Sequence, residues 1–378
     1  MIEASPGIVF TVIAFLLVIG PLVFIHEMGH YLAARACGVR TEIFSIGFGR
    51  EIFGWTDRRS TRWKVGWLPL GGYVKFAGDM NAASQPDPAM LALPEEEREG
   101  LFQFQPVWKR FIIVAAGPLI NFALAIIIFM GIFAAYGQPQ TPPVVTGLVE
   151  GSPAEQAGFE LGDRVRSIDG RPIDRFEELA ETVIIRPGQA MHFDVLRDGS
   201  VVTIEATPES RVERDRFGNE ARIGRLGIFA EGSELRRLSP LEVPGAAVSR
   251  TGDMVEMIVV TLGQIVTGRR SVRELGGPLK IAQISGQQAS LGFLAFFFFL
   301  AAISINLGFI NLLPIPMLDG GHLVFYVAEA VRRKPVKPEA QEWAFRMGLA
   351  VLLSFMLMVT VIDLGSFGLW ERLSGLIG

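Results

Sequence analysis

The chain has 378 residues, of which 50% are apolar and 20% are charged, and its formal net charge is −4. A mean hydropathy of +0.37 is typical of a membrane protein, while the number of charged residues requires an attached soluble part. The small net charge and the lack of a basic run with interleaved aromatics give no support for nucleic-acid binding. Cys37 is the single cysteine, so an intrachain disulfide is excluded.

Four stretches are apolar and long enough, or nearly so, to cross the hydrocarbon of a bilayer. They are residues 8–25, 111–136, 291–318 and 347–362 with its flanks. The first stretch has neither a positively charged segment before it nor a small-residue cleavage site, which favours a retained helix over a signal peptide. The sequence therefore predicts an α-helical polytopic membrane protein with four transmembrane helices.

The distribution of Lys and Arg predicts how the chain is oriented. Residues 1–7 contain neither, whereas the segment between the first two spans is rich in both. Residues 332–346, between the third and fourth spans, carry a second basic cluster. Basic loops stay in the cytoplasm, so both termini and residues 137–290 are expected outside it.

His26-Glu27-Met28-Gly29-His30 follows directly on the first apolar stretch. On a helix, the HExxH pattern places two imidazoles on one face, where both can bind Zn²⁺, and the Glu is close enough to act as a general base on water. The alternative is a helix end whose polar side chains merely lie among lipid headgroups. Such groups are costly at the end of a spanning helix unless they share a function, so the motif favours peptide hydrolysis within a membrane.

A catalytic zinc site needs a third protein ligand, and two residues near the end of the third span compete for this role. Because the first and third spans run in the same direction, their C-terminal ends lie at the same membrane level. Asp319 is favoured, since the prolines and glycines around it indicate a broken helix turned toward protein. His322 could share a helical face with Asp319 and remains a candidate. A third interpretation is that Asp319 only caps a new helix.

The segment between the first two spans contains strand signals at residues 44–49 and 67–76, separated by a polar turn. An open strand edge is tolerated at membrane depth only against protein or a water-filled cavity. Such an edge could pair with an unwound substrate through Gly71, Gly72, Tyr73 and Val74. An ordinary cytosolic hairpin is the alternative.

Residues 142–232 are predicted to form a soluble α+β module. Strand signals at 144–149 and 191–206 surround a helix at 176–184, and Asp198-Gly199 predicts a type I′ turn. Residues 233–290 then form amphipathic connecting helices at the membrane surface.

These features together resemble the site-2 protease family, specifically the bacterial regulator of sigma-E protease (RseP) group. The resemblance rests on HExxH after a first membrane span, on Asn311-Leu312-Leu313-Pro314-Ile315-Pro316-Met317-Leu318-Asp319-Gly320-Gly321 in a later span, and on the module between them. It implies zinc held by His26, His30 and Asp319, with Glu27 as the base and His322 in a supporting position. Asn311 and Pro314 would help to hold substrate.

The resemblance also implies a membrane-reentrant β-hairpin at about residues 41–76 and an inserted, circularly permuted PDZ-like domain at residues 142–232. The protease core would then consist of residues 1–136 and 291–378. Leu226, Gly227 and Ile228 correspond best to the PDZ loop that binds a C-terminal carboxylate; a steric plug is the other possible role. The best-known enterobacterial member has two PDZ domains, and this chain has room for one.

The expected function is that of an intramembrane zinc endopeptidase in the bacterial inner membrane. Its clients would be single-span membrane proteins, such as anti-sigma factors or remnant signal peptides, that another protease has already shortened. This upstream site-1 protease would act on the same substrate and would not form a stable complex with the chain. Membrane lipids are the other expected partner.

Two other function classes remain open. The first is a non-catalytic PDZ-bearing receptor or chaperone with a structural metal, which Glu27 disfavours because a structural site needs no base. The second is an ion transporter, disfavoured by the lack of an internal hydropathy repeat. Asn121, which interrupts the second span, is read as a helix-packing contact more readily than as an active-site group.

Overall fold

The computed structural model describes residues 7–79, 93–94, 98–214, 220–230, 232, 234–268, 276–334 and 336–366. The chain divides into two compact units. The first consists of Met1–Phe129 and Gly277–Val361, and the second of Met130–Gly276 and Ile362–Gly378.

The described helices and strands have the following bounds. The helices are α1 Ile8–Ala36, α2 Val107–Tyr136, α3 Pro153–Ala157, α4 Phe176–Ile184, α5 Glu242–Val266, α6 Pro278–Ser290, α7 Phe293–Leu312, α8 Asp319–Arg332 and α9 Pro338–Ser366. The strands are β1 Thr41–Thr56, β2 Arg62–Phe76, β3 Gln138–Gln140, β4 Gly147–Leu148, β5 Arg164–Ile168, β6 Arg171–Pro172, β7 Met191–Arg197, β8 Ser200–Ala206, β9 Glu209–Arg214, β10 Glu220–Arg225, β11 Ile228–Phe229 and β12 Glu234–Arg236.

Four helices, α1, α2, α7 and α9, are long and apolar enough to cross a membrane. Between 17% and 39% of the residues in their most apolar windows are buried within the protein. The apolar side chains of these helices that are not buried form a large exposed apolar surface. Soluble monomers expose only small apolar patches, so this surface is not that of a soluble protein. The chain is therefore a multi-pass membrane protein, and the four predicted spans are confirmed.

Two span ends differ from the predicted ones. The HExxH motif lies on the first helix as predicted, but this helix does not end at the motif and continues to Ala36. The third helix ends at Leu312 rather than at residue 318. Leu313 is already extended, because a residue that precedes a proline, here Pro314, is disfavoured in helical conformation.

In the first unit, α1 is the central helix. Its Val18 and Leu22 pack with Leu300 of α7 in one buried cluster. Near its other end, Tyr31 packs with Ile113 of α2 in a second cluster, which also contains residues of the hairpin and of α8. α6 also approaches α1 closely, since a Cβ added to Gly286 would lie 2.6 Å from Thr11 Oγ1.

β1 and β2 form the predicted hairpin, which folds back on itself. Residues 43–46 lie opposite both 62–65 and 72–75, so one part of β1 has a neighbour on each side. Gly47, Gly49 and Gly71 have positive φ angles of 83°, 83° and 108° at the bends, a conformation that glycine adopts without steric cost. This folding leaves the C-terminal part of β2 at an edge of the sheet.

In the second unit, the sheet with strand order β6-β5-β7-β8 packs against α4. The core contains Val165 of β5, Phe193 and Val195 of β7, and Leu179 of α4, all nearly inaccessible. Helix α4 coincides with the predicted helix, and Asp198 and Gly199 both have positive φ, as a type I′ turn requires. The predicted strand at residues 144–149 forms only β4 and a single bridge between Val144 and Arg164.

The connecting segment contributes to both units. α5 is joined to the module through ion pairs from Arg171 to Asp253 and Glu256 and from Arg250 to Glu181. α6 belongs to the first unit, where it packs along α1. The two connecting helices therefore have different partners.

Asp163 provides a test of the module's stability. Asp163 is 1% exposed, and its carboxylate accepts hydrogen bonds from Arg197 Nε and Nη2 at 2.8 and 2.7 Å. Burial would raise the pKa of Asp163, but the hydrogen bonds from Arg197 and from the Glu160 N–H outweigh it and hold the pKa below its ordinary value. Asp163→Ala should lower the free energy of unfolding of the module by about 2–3 kcal/mol, because Arg197 Nε and Nη2 lose the buried carboxylate to which they donate.

Hydrogen exchange of the full-length protein in detergent, followed on peptides from β5, β7 and β8, measures this loss. Because the pKa is lowered by folding, the contribution is present above about pH 4 and lost as the pH falls through the folded value. Glu205→Ala, an exposed carboxylate on β8, is the matched control and should leave protection unchanged. Equal protection in Asp163→Ala and wild type would contradict the prediction.

Candidate metal centre and active site

α1 and the start of α8 bring three potential metal ligands together. His26 and His30 lie one helical turn apart and are 8% and 7% exposed. Asp319 Oδ2 is 3.2 Å from His26 Nε2 and 3.4 Å from His30 Nε2, and the two Nε2 atoms are 3.3 Å apart. The structure therefore joins the two predicted histidine ligands with Asp319, whereas His322 is outside this cluster.

The spacing of these atoms fits a zinc ion. Bonds of about 2.0–2.1 Å with tetrahedral angles require ligand atoms about 3.3–3.4 Å apart. Asp319 Oδ2 is also buried without a hydrogen-bond partner among the described residues. Two nitrogens and a carboxylate oxygen that converge in this way are the donor set that Zn²⁺ prefers.

The broken segment between α7 and α8 places Asp319. A Cβ added to Gly320 would lie 2.2 Å from the Leu313 carbonyl oxygen, and one added to Gly321 would lie 2.5 Å from that of Ile315. The two glycines are thus required because the segment packs directly on the first turn of α8. Met317, within the segment, has a φ of 83°, a strained conformation that is often found at functional sites.

α2 contacts the far side of both imidazoles. His30 Nδ1 is 3.0 Å from the backbone oxygen of Ile113, and His26 Nδ1 is 3.0 Å from Asn121 Nδ2. Between them, Gly117 leaves room for the ring of His30, since a Cβ at this position would lie 2.2 Å from His30 Nε2. The two histidines are consequently held from one side by α2 and face Asp319 on the other.

Glu27 lies beside the three ligands and is 7% exposed. Its carboxylate faces the backbone N–H of Val74, at the edge of β2. β2 can come this close because residue 72 is glycine: an added Cβ would lie 3.0 Å from Glu27 Cγ and 2.8 Å from Val23 Cγ1. The strand therefore orients the predicted base.

The cluster opens into a cavity of about 420 Å³. All four predicted strand residues, Gly71, Gly72, Tyr73 and Val74, line it, as do Asn311 and His322. Pro314 is exposed and is not among the lining residues. Phe48 and Met317 also line the cavity, although the sequence had not singled them out.

The predicted carboxylate loop lies in the second unit. Leu226 is buried in the module core, and its carbonyl accepts a hydrogen bond from the Ala154 N–H. Gly227 has a φ of 86°, and its carbonyl accepts from the Val149 N–H. Ile228 pairs with Leu148 between β11 and β4.

Sequence reasoning missed most of the contacts from α2. Gly117-Pro118 and Asn121 were visible as an interruption of an apolar helix, but Asn121 was assigned to helix packing. The carbonyl of Ile113 and the N–H of Val74 carry no sequence signal, because every residue except proline offers both groups.

Comparison with known proteins identifies the family. The sequence profile of peptidase family M50 matches residues 14–355. The chain belongs to this family. The matched range contains both the HExxH motif and Asp319, and the inserted module lies between them.

Individual M50 relatives are similar over nearly their whole length. A protein from Agrobacterium fabrum is 43% identical over 97% of this chain and 96% of its own length, and its name includes the words zinc metalloprotease. A protein of Mesorhizobium japonicum whose name includes the same words is 44% identical over 92% of this chain and 96% of its own length. Metalloprotease MmpA of Caulobacter vibrioides is 39% identical over 98% of this chain and 99% of its own length. The resemblance to the site-2 proteases is thereby confirmed.

The space at Gly117 generates a prediction for this M50 protein. Gly117→Ala should displace the ring of His30 and strongly reduce binding of divalent metal, since the added methyl overlaps the Nε2 position. Metal content after purification and dialysis measures the effect.

Gly131→Ala in the same helix is the matched control, because an added Cβ there meets nothing within 4 Å. This control should keep its metal and unfold at the same temperature as wild type or slightly higher. Full metal content in Gly117→Ala would contradict the prediction, because it would mean that α1 and α2 can move apart enough to admit the added methyl group.

Proposed function

We propose that this M50 protein is a zinc endopeptidase that cleaves peptide bonds within the membrane. The observation that carries the proposal is the buried cluster of His26, His30 and Asp319, with Glu27 beside it in one cavity. The names of the relatives support zinc as the metal.

In the proposed reaction, His26, His30 and Asp319 hold the zinc ion. When bound, zinc would lower the pKa of a water molecule and polarise the scissile carbonyl. Glu27 accepts the proton of the water and later delivers it to the leaving amine. The Val74 N–H holds the Glu27 carboxylate in position, and the surrounding apolar side chains limit access of bulk water.

Substrate binding is proposed at the edge of β2. A transmembrane substrate must be unwound before its backbone reaches the cavity, and a strand edge offers partners to the released groups. Gly71, Gly72, Tyr73 and Val74 would pair with substrate, and Asn311 and Pro314 would help to hold it. In this arrangement the hairpin is membrane-reentrant.

The proposed clients are single-span membrane proteins, such as anti-sigma factors or remnant signal peptides, in regulated intramembrane proteolysis. An upstream site-1 protease would act first on the same substrate. The charge distribution favours a bacterial inner-membrane protein with its active site toward the cytoplasm and both termini and the PDZ-like module in the periplasm.

The module is proposed to restrict access to the active site. All residues that line the cavity belong to the first unit, so no described side chain of the module joins the chemistry. A bulky domain on an uncut client would collide with it, which explains a need for prior shortening. The alternative is recruitment, in which the loop of Leu226, Gly227 and Ile228 binds a new C-terminal carboxylate.

A non-catalytic receptor with a structural metal is the other function class. It has no use for a buried carboxylate oriented toward the metal ligands, and Glu27 has this placement. Proteolysis is therefore the better explanation.

Three variants test the site. Glu27→Gln should retain zinc and lose cleavage of a membrane segment by at least about 100-fold, because the amide cannot accept the proton. Asp319→Ala should lose zinc, whereas His322→Ala should keep most of it. Metal analysis and cleavage of a model segment in detergent decide the assignment; equal cleavage by Glu27→Gln and wild type would reject the mechanism.

Removal of the module tests its role. Replacement of residues 144–230 by a short linker should leave cleavage of a trimmed substrate intact and increase cleavage of the full-length one. Zinc content and thermal unfolding serve as controls for the core. Loss of cleavage of the trimmed substrate, with zinc and core intact, would identify the module as a recruiter.

A further inference from the structure

Asn121 takes no part in the steps described above, yet it is fully buried next to a proposed metal ligand. Its side chain is 0% exposed, and Nδ2 lies 3.0 Å from His26 Nδ1. Its Oδ1 has no hydrogen-bond partner among the described residues. A buried amide oxygen without a partner is unfavourable, so its location requires an explanation.

The two histidines need the same protonation to bind a metal. An imidazole that binds through Nε2 must carry its proton on Nδ1, and the partner of Nδ1 fixes this tautomer. For His30 the partner is the carbonyl oxygen of Ile113, which can only accept a hydrogen bond. His30 is therefore already in the binding tautomer.

His26 faces a partner that can either donate or accept. With Nδ2 of Asn121 toward it, His26 Nδ1 must accept, and the proton then lies on Nε2, 3.2 Å from Asp319 Oδ2. In this state His26 Nε2 carries a proton and has no lone pair for a metal. A half-turn of the amide brings Oδ1 to Nδ1, which moves the proton to Nδ1 and frees the Nε2 lone pair.

The amide alone does not decide between these two states. The half-turn merely exchanges which amide atom lacks a partner, because Nδ2 then occupies the place of Oδ1. The additional bond from His26 Nε2 to a metal favours the second state. Metal binding and the orientation of the Asn121 amide are thus linked.

We propose that Asn121 is a positioning residue of the metal centre, whose Oδ1 accepts the Nδ1–H of His26 and so fixes the tautomer and orientation of this ligand. The inference rests on the zinc site proposed above. The hydrogen bond that links α2 to α7 here does not use the Asn121 side chain. Ser304 Oγ of α7 donates to the backbone oxygen of Asn121 at 2.8 Å. Replacing the Asn121 side chain leaves this link in place.

The experiment uses the full-length protein in detergent, stripped of metal and titrated with Zn²⁺ against a chromophoric chelator. Asn121→Leu, similar in size but unable to accept a hydrogen bond, should weaken zinc binding by about 10–100-fold. Asn121→Asp can only accept, and it should restore an affinity close to that of wild type. The absorption spectrum after Co²⁺ loading should match wild type in Asn121→Asp and differ in Asn121→Leu.

Ser304→Ala is the matched control, because it removes the neighbouring hydrogen bond without changing the amide. It should lower the unfolding temperature and leave zinc affinity unchanged. If Asn121→Leu fails to fold, Asn121→Ala takes its place in the same comparison.

Wild-type affinity in folded Asn121→Leu or Asn121→Ala would overturn the inference. So would an equal loss of affinity in Asn121→Asp and Asn121→Leu when both are folded, since packing alone would then explain the residue. Failure of the wild type itself to bind Zn²⁺ or Co²⁺ would instead reject the proposed function.

Discussion

The close approach of α1 and α2 is the constraint on which the metal centre depends. A Cβ at Gly29 would lie 2.5 Å from the carbonyl oxygen of Ala116, and one at Gly117 would lie 2.2 Å from His30 Nε2. Because the helices meet without side chains between them, α2 can reach the far nitrogens of both imidazoles with Ile113 and Asn121. A wider separation would leave buried nitrogens without partners, which is costly in apolar surroundings.

Asp319, the third candidate ligand, is positioned by a different part of the fold. α7 ends at Leu312 and α8 begins at Asp319, and Met317 between them has a left-handed backbone conformation. The ligand atoms of the two imidazoles and the carboxylate lie within 3.4 Å of one another. A zinc ion bound between them would bond to all three and would thereby add to the stability of this part of the core.

The sequence predicted those parts of the fold and site that depend on side-chain type and spacing. The four spans, the hairpin and helix α4 follow from hydrophobic periodicity and turn residues, and the three ligands from HExxH and the LDGG context. The end of α7 was misplaced because apolar composition continues through residue 318, while Pro314 and Pro316 break the helix earlier. Asn121 was visible but assigned to packing, since its role depends on which atom of a distant helix it meets.

Backbone groups account for what the sequence could not reveal, and Val74 shows this best. Alternate residues of a strand direct their N–H groups to opposite sides, so Gly72, Val74 and Phe76 share one edge and Tyr73 and Lys75 the other. The Val74 N–H faces the Glu27 carboxylate, so this edge lies beside the proposed base. A substrate strand that pairs with the same edge would therefore share with Glu27 one of the few donors available. If substrate pairs here as proposed, substrate binding and the orientation of the base would depend on a single edge, and a substitution that removes the Val74 N–H would affect both. Variants of the strand can separate the two roles only if they retain this N–H group, which is why the side chains of Tyr73 and Val74 are the more informative positions to alter.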